Sequence, residues 1–181
     1  MRLNGAVRLQ KPLLLLVVLY LMLFGALAFT RDQLPERVAT HFGTGGIANG
    51  WMMRDHFLWG TAAFSLVLPA AVVGLCYVIR QLPVSMLNLP NREYWIAPER
   101  RQATYDFIFS RSLWFACIAV GFVTGIYFMI LEANEHTTPQ LSEETLLAFT
   151  GVFLAAMLVW VWRMIVPFTK APGSEVEKEL V

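Results

Sequence analysis

The chain has 181 residues, 57% of them hydrophobic and only 15% charged. A water-soluble domain of that composition would have to expose much of its apolar surface, which excludes an ordinary soluble fold. Net charge is +1, so placement rather than sum carries the information: four long intervals contain no Asp, Glu, Lys, Arg or His, and each is long enough to cross a bilayer.

The first interval runs from Pro12 to Phe29. At about 1.5 Å rise per residue such stretches cover the ~30 Å hydrocarbon core, so a spanning helix is expected. Arg2, Arg8 and Lys11 ahead of it, with Ala26-Leu27-Ala28 at its end, also fit a cleavable signal sequence. The apolar run is long for that role, and an uncleaved anchor is the expectation.

An outer loop, 30–56, follows. Val38 to Phe42 reads as a short extended run. After it come Gly43, Gly45, Gly46 and the Asn49-Gly50 pair, which permit positive φ, and a small β-hairpin ending at Trp51 is expected. A phosphate loop is excluded because no Gly-Lys-Ser/Thr follows the glycines. His41, His56, Asp32, Glu36 and Asp55 are the loop's candidate metal ligands. They form neither an H-E-x-x-H pattern nor a histidine pair at helical i, i+4 spacing, so no metal or other cofactor is expected. His41 is assigned a structural role, hydrogen-bonded within the turn.

The second span is Phe57 to Ile79. Its Pro69 cannot donate to the carbonyl of Ser65, which predicts a kink with the Ser65 hydroxyl placed to satisfy the freed group. An inner loop, 80–111, follows. Pro98, with Glu99 beside it, suits the start of a helix running into the third span. Arg92, Tyr94, Trp95, Arg100 and Arg101 make a basic, aromatic stretch expected to anchor at the membrane surface or to meet a protein partner. Glu93, Glu99 and Asp106 interrupt its charge, which argues against nucleic acid.

The third span, Ser112 to Leu131, carries Gly121 and Gly125 in a G-x-x-x-G face. The outer loop 132–144 has four glutamates and no basic residue, and the fourth span is Thr145 to Trp162, with Gly151 and Ala155 as a second small face. Close helix packing at Gly121, Gly125 and Gly151 is expected. Cys76 and Cys117 fall in the inner halves of their spans and are expected to be reduced apolar side chains. Residues 1–166 thus form a single four-helix membrane domain, and 167–181, with Pro167, Pro172 and Gly173, a flexible cytoplasmic tail.

Of the 14 Lys and Arg residues, only Arg31, Arg37 and Arg54 lie on the side of the first outer loop. The positive-inside bias therefore places both termini in the cytoplasm. Trp51 and Trp59 at the outer end of the second span, and Trp95, Trp114, Trp160 and Trp162 near inner ends, agree with that orientation. The expected fold is an all-α integral membrane protein with four transmembrane helices, N-in and C-in, and a short outer-loop hairpin between the first two. Spans without ionisable groups argue against proton-coupled transport.

The run Leu34-Pro35, Val38, His41-Phe42, Gly45-Gly46, Asn49-Gly50-Trp51 resembles the bacterial membrane domain of unknown function 1648, which also supplies the N-terminal part of the Sdp-toxin immunity proteins. Asn88 to Arg101 looks like a segment that accompanies this domain. The resemblance implies a multi-pass protein of the bacterial inner membrane without assigned chemistry, and the immunity relatives imply recognition of a peptide. The leading expectation is a non-enzymatic protein that recognises a peptide or membrane-protein partner through His41, Phe42, Gly45, Gly46, Asn49, Gly50 and Trp51. The alternatives are an accessory subunit of a larger membrane complex and a metal-dependent membrane enzyme using the His41 loop.

Overall fold

The computed structural model describes residues 3–169. Five helices, α1 (Leu3–Phe29), α2 (Arg54–Val78), α3 (Arg92–Trp95), α4 (Arg101–Ala133) and α5 (Glu143–Thr169), are joined with one antiparallel hairpin, β1 (Arg37–Phe42) and β2 (Ala48–Met53), between α1 and α2. The helices α1, α2, α4 and α5 are long and apolar enough to cross a membrane. The chain is a mostly helical, multi-pass membrane protein.

The centre of the bundle is α4, which packs on α1, α2 and α5. Its most apolar stretch is 44% buried, against 11% for α1 and α2 and none for α5. Membrane helices associate by packing and hydrogen bonds, because lipid tails are as apolar as leucine. At the hairpin end Leu23, Leu27, Phe57, Val120, Tyr127 and Leu131 form the main core, continued by Leu34 and Val38. Two polar ties cross it: Tyr20 donates to the Ser65 carbonyl at 2.9 Å, and Thr30 and Tyr127 share a hydroxyl–hydroxyl bond; a third, from the Cys117 thiol to the Pro12 carbonyl, joins α4 to α1 further from the hairpin. At the opposite end Trp160 donates to the Arg111 carbonyl, joining α5 to α4.

The Pro69 carbonyl problem is therefore solved differently from the sequence expectation. The Ser65 hydroxyl turns back to the Ala62 carbonyl, and the carbonyl freed by Pro69 is taken by Tyr20 from α1. A neighbouring helix supplies the donor that the proline ring lacks.

Three boundaries also move. Pro12 lies inside α1 and is buried rather than opening the helix. The helix carrying the third span begins at Arg101, three residues after Pro98, because Ala97 accepts from the amides of both Arg100 and Arg101 in a closing turn. The last helix continues past Val166 through Pro167 and Phe168 to Thr169. Phe168 is held by Trp95 and Phe107 ring edges and by Asn91, whose side chain donates to its carbonyl. The rest of the predicted tail, residues 170–181, lies outside the described residues.

The packing roles assigned to the glycines divide. A Cβ on Gly125 would overlap the Phe149 ring of α5, so Gly125 does permit a close approach. Gly121 and Gly151 have nothing within 4 Å of that position and make no such contact among the described residues. Both cysteines are free thiols, as expected.

Candidate functional site

The hairpin turn is Gly43 to Gly46, where Gly45 (φ +77) and Gly46 (φ +69) take the left-handed conformation open to glycine. Gly50 does not have a positive φ; it lies in β2, where a Cβ would come 2.9 Å from the His41 Cβ. Its small size lets His41 pack across the strand pair. Asn49 and Gly50 are therefore strand residues and not the turn. Pairing runs Arg37↔Met53, Val38↔Met52 and Ala39↔Trp51, then resumes at His41↔Gly50 and Phe42↔Ala48. Thr40 and Asn49 are left over, and this pair of bulges re-aims the middle of β1.

Residues beyond α4 fix the hairpin in place. Asn134, the residue after α4, reads both backbone groups of Ala39: the Ala39 amide donates to its Oδ1 at 2.8 Å, and its Nδ2 donates to the Ala39 carbonyl at 3.0 Å. The same Nδ2 donates to the Ile130 carbonyl. At the turn, Glu143 accepts from the Gly45 amide, Gln140 donates to the Gly45 carbonyl, and the Leu141 amide donates to the Gly46 carbonyl. The start of α2 is tied back through Arg54, which donates to the Leu34 carbonyl. Arg31 pairs with Asp55 at 2.8 Å; the carboxylate holds the exposed guanidinium above its ordinary pKa.

Beneath the hairpin lies an open groove of about 500 Å³. One wall is α2, with Phe57, Gly60, Thr61 and Phe64; the other is α4, with Phe122, Val123, Ile126, Tyr127 and Ile130. Thr40, His41 and Met52 of the hairpin, with His56 from the first turn of α2, complete the rim. The polar groups lower in the groove are already engaged: Thr61 donates to the Phe57 carbonyl and the Tyr127 hydroxyl meets Thr30. The rim differs. The Thr40 hydroxyl oxygen is buried without a hydrogen-bond partner among the described residues. His41 is exposed and makes no hydrogen bond there, which replaces the expected hydrogen-bonded turn residue with a free imidazole at a groove rim.

Of the residues nominated from sequence on this side, His41 and His56 line the groove and the others do not. Phe42 is half-buried in β1, Gly45 and Gly46 form the turn, and Trp51 and Asn49 are exposed along β2. The sequence reading missed Thr40, Met52, Phe64, Phe122 and the clamp Asn134. Helical spacing was the available signal for the walls, since Phe122, Ile126 and Ile130 recur every fourth residue. Among the described residues no three His, Cys, Asp or Glu side chains converge as metal ligands would.

The basic, aromatic segment at the opposite end is folded inward. Trp95 is buried against Ile108 and Phe168, and its carbonyl accepts from Thr104. Tyr94 lies edge-on to Trp95 under the Arg100 guanidinium, 4.2 Å from the ring centroid. Arg92 donates to the Ser85 carbonyl and Arg101 to that of Ile96. Trp95 thereby packs between the first turns of α4 and the last turn of α5.

Residues 15–73 match the family model described as Domain of unknown function (DUF1648). The DUF1648 stretch takes in most of α1, the whole hairpin and α2 through Val73, so it supplies the rim and one wall of the groove. Both the second wall, α4, and the Asn88 to Arg101 segment lie outside it. No curated protein and no solved structure matches the chain.

Proposed function

We propose that this protein is a non-enzymatic recognition protein of the bacterial inner membrane, with both termini in the cytoplasm and the hairpin outside. In this reading the hairpin and the groove beneath it bind an amphipathic partner presented at the outer face. The observation that supports it most is the groove itself: an apolar, aromatic cleft whose unengaged hydrogen-bonding groups all sit at the rim. Such a combination of apolar walls and a few convergent polar groups is typical of binding sites. If the outer-loop resemblance of residues 34–51 extends to the immunity proteins, a peptide is one partner of this character.

Two experiments test the reading. Orientation is tested by cysteine labelling after Cys76 and Cys117 are replaced. Thr44→Cys and Ser85→Cys are both exposed positions; the first should react with an impermeant thiol reagent in intact cells and the second should not. Recognition is tested by a photoreactive benzoylphenylalanine at Met52 on the rim, with Leu158 on the exposed face of α5 as control. A discrete adduct at Met52 but not at Leu158 is expected. Identical products at the two positions would refute a specific site.

A further inference from the structure

We propose that the open edge of β2, at Trp51 and Met53, takes an extended segment of a basic peptide as a third strand. This rests on the recognition reading above and names how its partner is held.

The register of the hairpin shows which backbone groups are open. Asn134 takes both the amide and the carbonyl of Ala39, so these point away from β2. In an antiparallel pair, opposed residues turn their backbone groups toward each other or away from each other in alternation. Trp51, opposite Ala39, and Met53, opposite Arg37, therefore turn theirs outward, while Met52 bonds Val38. The Arg54 amide keeps the alternation by donating inward to the Glu36 carbonyl at 2.8 Å.

Elsewhere the chain covers its own strand edges. Asn134 covers β1. Near the turn, the Ile47 carbonyl accepts from Gly43, so the Ala48 amide of the same peptide unit points to the outer edge of β2, where it donates to the Pro139 carbonyl at 3.3 Å. That cover ends before Trp51, and the side chains of Trp51, Met52 and Met53 are all exposed. Lysine, proline or a covering loop commonly blunts such an edge, and this stretch has none of them. An extended peptide offers a donor and an acceptor on one side at every second residue, which matches both open positions. A phosphate offers acceptors alone and would leave the two carbonyls bare. Charge selects the kind of peptide. The loop 132–144 is bonded to the hairpin through Asn134, Pro139 and Glu143, and it carries four Glu and no Lys or Arg. Glu132, Glu135 and Glu144 are exposed, and the ion pairs among the described residues, Arg31–Asp55 and Arg80–Asp106, involve none of them. Their field favours a cationic segment.

The test uses the full chain in phosphatidylcholine nanodiscs, whose lipid carries no net charge to attract the probe. Main-chain bonds tolerate many sequences, so the probe is a blocked peptide of alternating Thr and Val flanked by lysines. Amide exchange is read by NMR on protein with labelled Trp and Met. Peptide should raise protection about tenfold or more at the amides of Trp51 and Met53 and leave that of Met52, already paired, unchanged. Met53 has φ −63, the value proline requires, and its amide points outward, so Met53→Pro should keep the hairpin and the Met52 protection. It should bind the peptide about tenfold or more weaker than Met53→Ala, which loses the side chain but keeps the amide. The same peptide N-methylated at its Thr and Val amides makes that test without altering the chain, and it should not bind. Glu135→Gln with Glu144→Gln should weaken binding roughly threefold. No added protection at Trp51 and Met53, equal binding by the N-methylated peptide, or equal losses in Met53→Pro and Met53→Ala would each overturn the proposal. So would protection of both amides before peptide is added that is lost on dilution, which would assign the edge to a second copy of the chain. If the photoreactive Met52 adduct forms while the edge amides stay open, only this proposal fails; if both are absent, the recognition reading fails with it.

Discussion

Replacing Tyr20 with phenylalanine removes a single hydroxyl from the contact of α1 with α2, and its cost should depend on whether position 69 is a proline. Pro69 leaves the Ser65 carbonyl without its helical amide, and Tyr20 donates to that carbonyl at 2.9 Å from the facing helix. Ser65 is fully buried, so no water can substitute once the hydroxyl is gone. Hydrogen bonds between membrane helices average about 0.6 kcal/mol and reach about 1.7, and a carbonyl left bare belongs at the upper end, near 1.5 kcal/mol. In a Pro69→Ala background the amide at position 69 can bond the Ser65 carbonyl, and Tyr20→Phe should then cost less than about 0.5 kcal/mol. The difference, a coupling of about 1 kcal/mol, is measurable as a double-mutant cycle by equilibrium unfolding in mixed micelles. Equal costs in the two backgrounds would refute the assignment of Tyr20 as the donor that completes α2.

Asn134→Ala should leave the Ala39 amide and carbonyl bare, about 2 kcal/mol or more, read as at least a thirtyfold loss of hydrogen-exchange protection at the Ala39 amide. Asn134→Asp, which keeps the acceptor and loses the donor, should fall between it and wild type. Gly125→Leu should lower thermal stability by about 1 to 3 kcal/mol by driving Phe149 out of place, whereas Gly121→Leu should change it by less than about 0.5 kcal/mol. His41→Ala should also stay within about 0.5 kcal/mol of wild-type stability, since the exposed imidazole makes no hydrogen bond among the described residues.

The spans were legible because the property that defines them, the absence of charge over a bilayer's thickness, is one-dimensional. Their ends were not. Pro167 looks like a terminator, yet α5 passes through it because Trp95, Phe107 and Asn91, distant in sequence, hold Phe168. The hairpin was legible from its glycines, but Gly50 was read as a backbone requirement when the constraint is the His41 side chain across the strand pair. The same limit applies to Asn134, which in sequence is one polar residue before a loop and in the fold imitates a third strand by bonding both backbone groups of Ala39.

The groove shows why its site residues were the hardest to read. It is bounded by what is missing as much as by what is present: Gly60 carries no side chain toward it, and α5 makes its main helix contact with α4 rather than closing against α2. Had Gly60 been a leucine, the space could have filled from within the chain, and the rim of Thr40, His41 and His56 would overlie a packed interface. The clamp by Asn134 acts in the same direction from above. It ties β1 to the end of α4 at Ala39, one residue before the bulge, so the hairpin is fixed beside the groove rather than folded into it. An open cleft held open by a glycine in one wall and a hydrogen-bonded strap at its rim is a stable feature of the fold, and that stability favours a binding role over incidental loose packing.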